Sequence, residues 1–114
     1  MAAFVYKIES ASVWAAAQSA GVYLGSPVDL ADGFIHFSTA DQVAETAAKH
    51  FAGRPGLVLI AVRPGPLGAA LRYEPSRGGA LFPHLYASLP MRAVEWVKPL
   101  PLAADGRFAF PALA

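Results

Sequence analysis

Leu57-Val-Leu-Ile-Ala-Val62 is an unbroken run of six apolar residues, and Pro64, Gly65 and Pro66 close it. A strand with water on one face alternates apolar and polar side chains, whereas a run without alternation is covered on both faces. The segment therefore predicts a central strand with a layer on each side. Upstream, residues 3–8 read as a first strand, in which Phe4, Tyr6 and Ile8 alternate with Val5 and Lys7. Glu9-Ser10 opens a helix that Ser10 can cap, and the Ala-rich run to Ala20 favours helix until Gly21 stops it. Val13, Ala17 and Ala20 share one face, with Trp14 beside them.

Residues 22–32, with Gly25, Ser26 and Pro27, read as a loop. Residues 33–37 are a short strand holding Phe34, Ile35, His36 and Phe37. A second helix follows, capped by Ser38 or Thr39, and Thr39-Ala-Asp-Gln42 matches a capping box. Val43, Ala44, Ala47, Ala48 and Phe51 form its apolar face, and Gly53 ends it. Downstream of the central run, residues 71–74 form a short strand and 75–79 a turn. Residues 81–89 are irregular but rich in aromatic rings, 91–97 are a late strand, and Asp105-Gly106 is a hairpin turn into 108–110. The order is β-α-β-α-β, then mostly β. A doubly wound parallel sheet needs helices between its strands, and the second half supplies none. The expected fold is α+β: a mixed, largely antiparallel sheet with two main helices, in a single domain over residues 1–114.

Totals narrow the function classes. The chain has 114 residues, 55% hydrophobic and 15% charged, which fits one globular domain and argues against disorder. Formal net charge is +1 and the charges are scattered, so nucleic-acid binding through a basic patch is not expected. Low charge leaves apolar surface for a second copy, and a monomer or weak homo-oligomer is expected. The absence of cysteine excludes disulfides, thiolate zinc sites and a cysteine nucleophile. The start, Met-Ala-Ala-Phe-Val-Tyr-Lys-Ile-Glu, lacks the basic opening and long apolar run of a secretion signal. The longest uncharged stretch, residues 10–28, is broken by Gln, Ser, Gly and Pro, so no membrane span is expected. A cytoplasmic location is the corresponding expectation.

Chemistry concentrates in two segments, residues 32–39 and 74–86. His36 sits in Gly33-Phe-Ile-His-Phe-Ser-Thr39, where a strand runs into hydroxyl residues that open a helix. Free N–H groups at such a helix start can take an anion, with Ser38 and Thr39 adding hydroxyls. Capping alone also explains both hydroxyls. His84 sits in Leu81-Phe-Pro-His-Leu-Tyr86, where Phe82 and Tyr86 could wall a flat ligand or pack the segment onto the core. Glu74 could orient His84 or act as an acid/base, or pair with Arg72 or Arg77 at the surface. Strand parity leaves open whether Lys7 faces a pocket or water. His50 lies in the last helical turn, where a positive ring would suit the helix dipole. A metal set drawn from His36, His84 and one of Asp29, Asp32 or Glu74 has no supporting spacing, so no metal site is expected. No nucleophile elbow or phosphate-binding glycine loop is present.

Tyr6-Lys-Ile8, Asp32-Gly-Phe-Ile-His-Phe-Ser38, Phe82-Pro-His-Leu-Tyr86 and Asp105-Gly-Arg-Phe108, in this order over nearly the whole chain, resemble the bacterial domain-of-unknown-function family 952. That family is similar in layout to the ADP-ribosyltransferase superfamily, which handles NAD or ADP-ribose. The resemblance implies Lys7 at the first catalytic position, His36 with Ser38 at the second, and Glu74 or His84 at the third. The superfamily's usual residues at these positions are Arg, Ser-Thr-Ser and Glu, or His, Tyr and Glu, and this chain departs from both sets. It further implies a nucleotide-sized pocket, with NAD as substrate rather than resident cofactor, and with Thr39, Phe82 and Tyr86 among the binding residues. Two other readings stay open: a non-catalytic metabolite-binding or protein-interaction module, and a metal-dependent hydrolase.

Overall fold

In the computed structural model, which describes residues 3–113, the strands pair antiparallel in three sheets. The first places β4 (Leu57–Val62) between β1 (Val5–Ser10) and β8 (Val94–Leu100). The second places β6 (Leu81–Leu85) between β3 (Ile35–His36) and β5 (Leu71–Pro75). A two-stranded ladder joins β2 (Val22–Tyr23) to β7 (Leu89–Pro90). A bridge between Tyr6 and Ser38 links the first two ladders. The fold is α+β as expected, but every ladder among the described residues is antiparallel, not mixed.

The apolar run behaves as its composition requires. Leu57, Leu59 and Ala61 face one buried cluster, with Tyr6, Ile8, Val43, Ala47 and Leu100. Val58, Ile60 and Val62 face the other, with Trp14, Tyr23, Ile35, Leu85 and Leu89. Leu59 and Ile60 are both fully buried on opposite faces, each burial being worth about 1.5–3 kcal/mol. Helices α1 (Ala11–Ala20) and α3 (Val43–His50) are the two main helices. Ser10 caps α1 by accepting from the Val13 N–H, and Gly21 ends it in the left-handed region. Trp14 and Ala17 are the buried α1 residues, while Val13 and Ala20 face outward. The cap expected for the second helix from Ser38 or Thr39 does not form. Instead Gln42 reaches back to the Thr39 N–H at 3.1 Å, half of a capping box, and the Ser38 hydroxyl goes to Thr46 at 2.9 Å.

Three local expectations are corrected. Residues 22–32 are no loop: they hold β2 and a third helix, α2 (Pro27–Asp32). Ser26 and Asp29 form its capping box, with Pro27 in the first turn and Gly33 as the left-handed stop. Residues 81–89 are no irregular segment: β6 is the middle strand of its sheet. Pro83 lacks a donor there, but its carbonyl accepts from the Phe37 N–H at 2.9 Å, so the strand keeps its neighbour. The late strand starts at Val94, because residues Met91–Ala93 form one tight 3-10 turn. The Asp105-Gly106 turn exists, but only Leu102 and Phe108 bridge across it.

Candidate functional site

The parity of β1 decides the direction of Lys7. Tyr6 and Ile8 point into one core cluster and Val5 into the other, so Lys7 and Glu9 point with Val5 into the protein. Lys7 is 7% exposed. A buried ammonium needs a carboxylate, and Asp29 supplies it: Nζ lies 2.8 Å from Oδ2. Asp29 is itself 2% exposed and takes four donors. Its Oδ2 accepts from Lys7 and from the Ser26 N–H at 2.9 Å, and its Oδ1 from the His36 N–H at 3.1 Å and from His36 Nδ1 at 2.6 Å. Four donors saturate a carboxylate. Burial pushes the Asp29 carboxyl up, but His36 and Lys7 outweigh it and hold the group well below the usual carboxylate range. Burial lowers Lys7, and the Asp29 charge opposes that only in part. The other buried carboxylate, Glu9, accepts from the Tyr23 hydroxyl. Burial and that bond push the Tyr23 hydroxyl far above its ordinary value.

His36 closes this network toward solvent. Its Nδ1 is tied to Asp29 and its Nε2 lies 3.0 Å from Oδ2 of Asp32, the last residue of α2. A cleft of about 630 Å³ opens beside the network. Lys7, Glu9, Asp29, His36 and Ser38 line its floor, and Thr46, His50 and Arg54 stand along one wall. A volume of that size lies within the ordinary range for small-molecule sites.

The second segment meets the first across a ladder. His36 and His84 are register partners of β3 and β6, with ring centroids 5.5 Å apart. His84 is 5% exposed. Its Nδ1 lies 2.8 Å from Glu74 Oε1, the same oxygen that accepts from the Tyr86 hydroxyl at 2.7 Å. Those bonds, Tyr86 first, lower the Glu74 carboxyl and in turn raise the Tyr86 phenol. His84 Nε2 is buried without a hydrogen-bond partner among the described residues. Phe34 stacks on His84 at 4.1 Å and also contacts the His36 and Tyr86 rings.

The candidate residues thus divide. Lys7, His36 and Ser38 share the large cleft. His84, Glu74 and Thr39 lie outside it; Tyr86 lines a shallower depression of about 360 Å³ with Phe34, Leu24 and Leu30. Phe82, read as a stacking ring, is 4% exposed and borders neither concavity. No group of three or more metal-capable side chains occurs among the described residues, so His36 and His84 do not complete the metal set considered above. Sequence reading weighed Asp29 only as an alternative metal ligand and missed its role as the hub. Its signal was Ser26-Pro-Val-Asp29, a capping box with proline in the first helical turn. It also missed Arg54, since a single exposed arginine after a helix carries no signal until the wall it joins is known.

The sequence model of the family described as "Protein of unknown function (DUF952)" matches residues 8–97. The chain belongs to this family. Both histidine segments lie inside the match, so the DUF952 match carries His36, His84 and their partners. The crystal structure of protein CC0527 from Caulobacter crescentus is 52% identical, with a TM-score of 0.89 over 93% of each chain. Its solution NMR structure is 53% identical, with a TM-score of 0.83 over 91% of this chain and 90% of that one. No curated protein matches. No helix among the described residues is long and apolar enough to cross a membrane.

Proposed function

We propose that this DUF952 chain binds a nucleotide-like anionic ligand, of the NAD or ADP-ribose class, in the cleft beside Lys7, Asp29 and His36. The observation that supports this is the convergence of Lys7, His36 and Ser38 on one concavity of about 630 Å³. These are the residues that an ADP-ribosyltransferase-like layout would place at its first two catalytic positions. Asp29 fixes the His36 ring through Nδ1 and the adjacent backbone N–H, so His36 is held in place before a ligand arrives. Its role is to hold a ribose hydroxyl or a phosphate oxygen through Nε2, which exchanges the half-exposed Asp32 carboxylate for the ligand while Nδ1 stays on Asp29.

Binding is favoured over turnover by one observation: the Glu74–His84 pair lies outside the cleft, with Phe34 stacked over His84. An enzymatic reading gives His84 with Glu74 the task of stabilising positive charge at the anomeric carbon. That reading requires a ligand to displace Phe34.

The test is an amide-shift titration of labelled protein with NAD and then ADP-ribose. Saturable shifts around His36, Phe37 and Ser38 are expected. His36→Ala is expected to keep a folded spectrum and lose them. No shift in the wild type at about millimolar ligand would refute the reading, and release of nicotinamide would convert it into an enzymatic one.

A further inference from the structure

Thr46, His50 and Arg54 recur every four residues and line one wall of the cleft. The first two project from α3, and the chain reversal after it delivers the third. Phe51 donates its N–H to the Ala47 carbonyl at 3.0 Å, Gly53 turns the chain at φ 74°, and Arg54 donates its N–H to the Phe51 carbonyl at 3.0 Å. Only glycine adopts that backbone readily. The Arg54 guanidinium then rests 5.0 Å over the Phe51 ring, which steadies it at the cleft mouth.

The charges of the cleft are unequal in their commitments. Its carboxylates are engaged, Asp29 by Lys7 and His36 and Glu9 by Tyr23. Lys7 is committed to Asp29. Arg54 makes no ion pair among the described residues, and its planar fork suits two oxygens of a phosphate. Ahead of α3, where the sequence offers an anion site, Gln42 already accepts from the Thr39 N–H, and Thr39 does not border the cleft.

We propose that the Thr46–His50–Arg54 wall is the phosphate-holding subsite of the cleft. Its ligand is a phosphate or diphosphate ester whose remaining part reaches His36. The assignment rests on the cleft being the ligand site, and it moves the anion from the start of α3 to its end.

Wild type, Arg54→Ala and a control, Arg107→Ala, are titrated with inorganic pyrophosphate, ADP-ribose and adenosine, following backbone amides. Arg107 is an exposed arginine outside the cleft, so its removal changes net charge equally. Pyrophosphate shifts are expected on residues 46–54. Arg54→Ala is expected to weaken pyrophosphate and ADP-ribose about tenfold or more, with adenosine unchanged and the control like wild type. Equal binding of both phosphate ligands by Arg54→Ala and wild type would overturn the subsite. If ADP-ribose still shifted residues 36–38 in that variant, the cleft reading would survive alone. Wild-type binding of pyrophosphate but not ADP-ribose would support the subsite and overturn the nucleotide reading. Binding of neither would overturn both.

Discussion

Asp29 carries more of the local structure than any other polar side chain. It caps α2, neutralises Lys7 and fixes His36 with four accepted hydrogen bonds. The two members of its ion pair are therefore not equivalent. Lys7→Met leaves Asp29 with three donors, whereas Asp29→Ala leaves a buried ammonium without its carboxylate. Asp29→Ala is expected to cost about 3–5 kcal/mol and Lys7→Met clearly less. Urea unfolding of both variants measures this, and equal costs would contradict the asymmetry. At this scale the sequence named Lys7, His36, Ser38, Glu74 and His84, but Asp29 only as one alternative in a metal set and not as the hub that joins Lys7 to His36. A short acidic residue in an apparent loop looks like solvent-facing polarity until the loop is seen to be a capped helix.

At the scale of elements, α2 is the piece that delivers Asp29, and Gly25 controls how it is entered. Gly25 has φ 115°, and a Cβ there would lie 2.8 Å from the Asp29 Cβ. Gly25→Ala thus combines a backbone state that L-residues avoid with a clash against the hub. It is expected to lower stability by about 1–3 kcal/mol, read as a shift of the urea midpoint. Gly21→Ala serves as comparison, since its Cβ would meet nothing within 4 Å and only backbone strain remains. A Gly25→Ala loss no larger than that of Gly21→Ala would remove the role of the contact. β6 teaches a related point. Pro83 brings no N–H to β6, yet the strand needs only the proline carbonyl, which Phe37 uses.

For the whole molecule, acid is the condition that tests the network. The Asp29 carboxyl is held below its ordinary value of 3.8, so more protons bind the unfolded chain as pH falls. The stability this confers is complete above about pH 4 and is lost as pH falls through the depressed folded value. Glu74 is lowered too and acts in the same direction. The urea midpoint is expected to hold between about pH 6 and pH 5 and to drop steeply below about pH 4. A midpoint that stayed level down to about pH 3 would show that the carboxylates are not tied as described. At the same scale, the bridge between Tyr6 and Ser38 joins the two three-stranded sheets, and both residues line the cleft.

Local pattern determined much of this protein. The unbroken apolar run made β4 central, the capped Ala-rich segment made α1, the apolar face of Val43 and Ala47 made α3, and the two histidine strings marked the regions of interest. These features depend on contacts close in sequence or on the period of burial, and a single chain displays both. The tertiary structure alone decided that Lys7 points inward, that Asp29 receives it, that His36 and His84 are cross-strand partners, and that Glu74 and His84 lie outside the cleft holding His36. The physical reason is separation. Lys7 and Asp29 are 22 residues apart, and their pairing exists only because β1 and α2 meet in the folded chain, where a buried charge must find its partner.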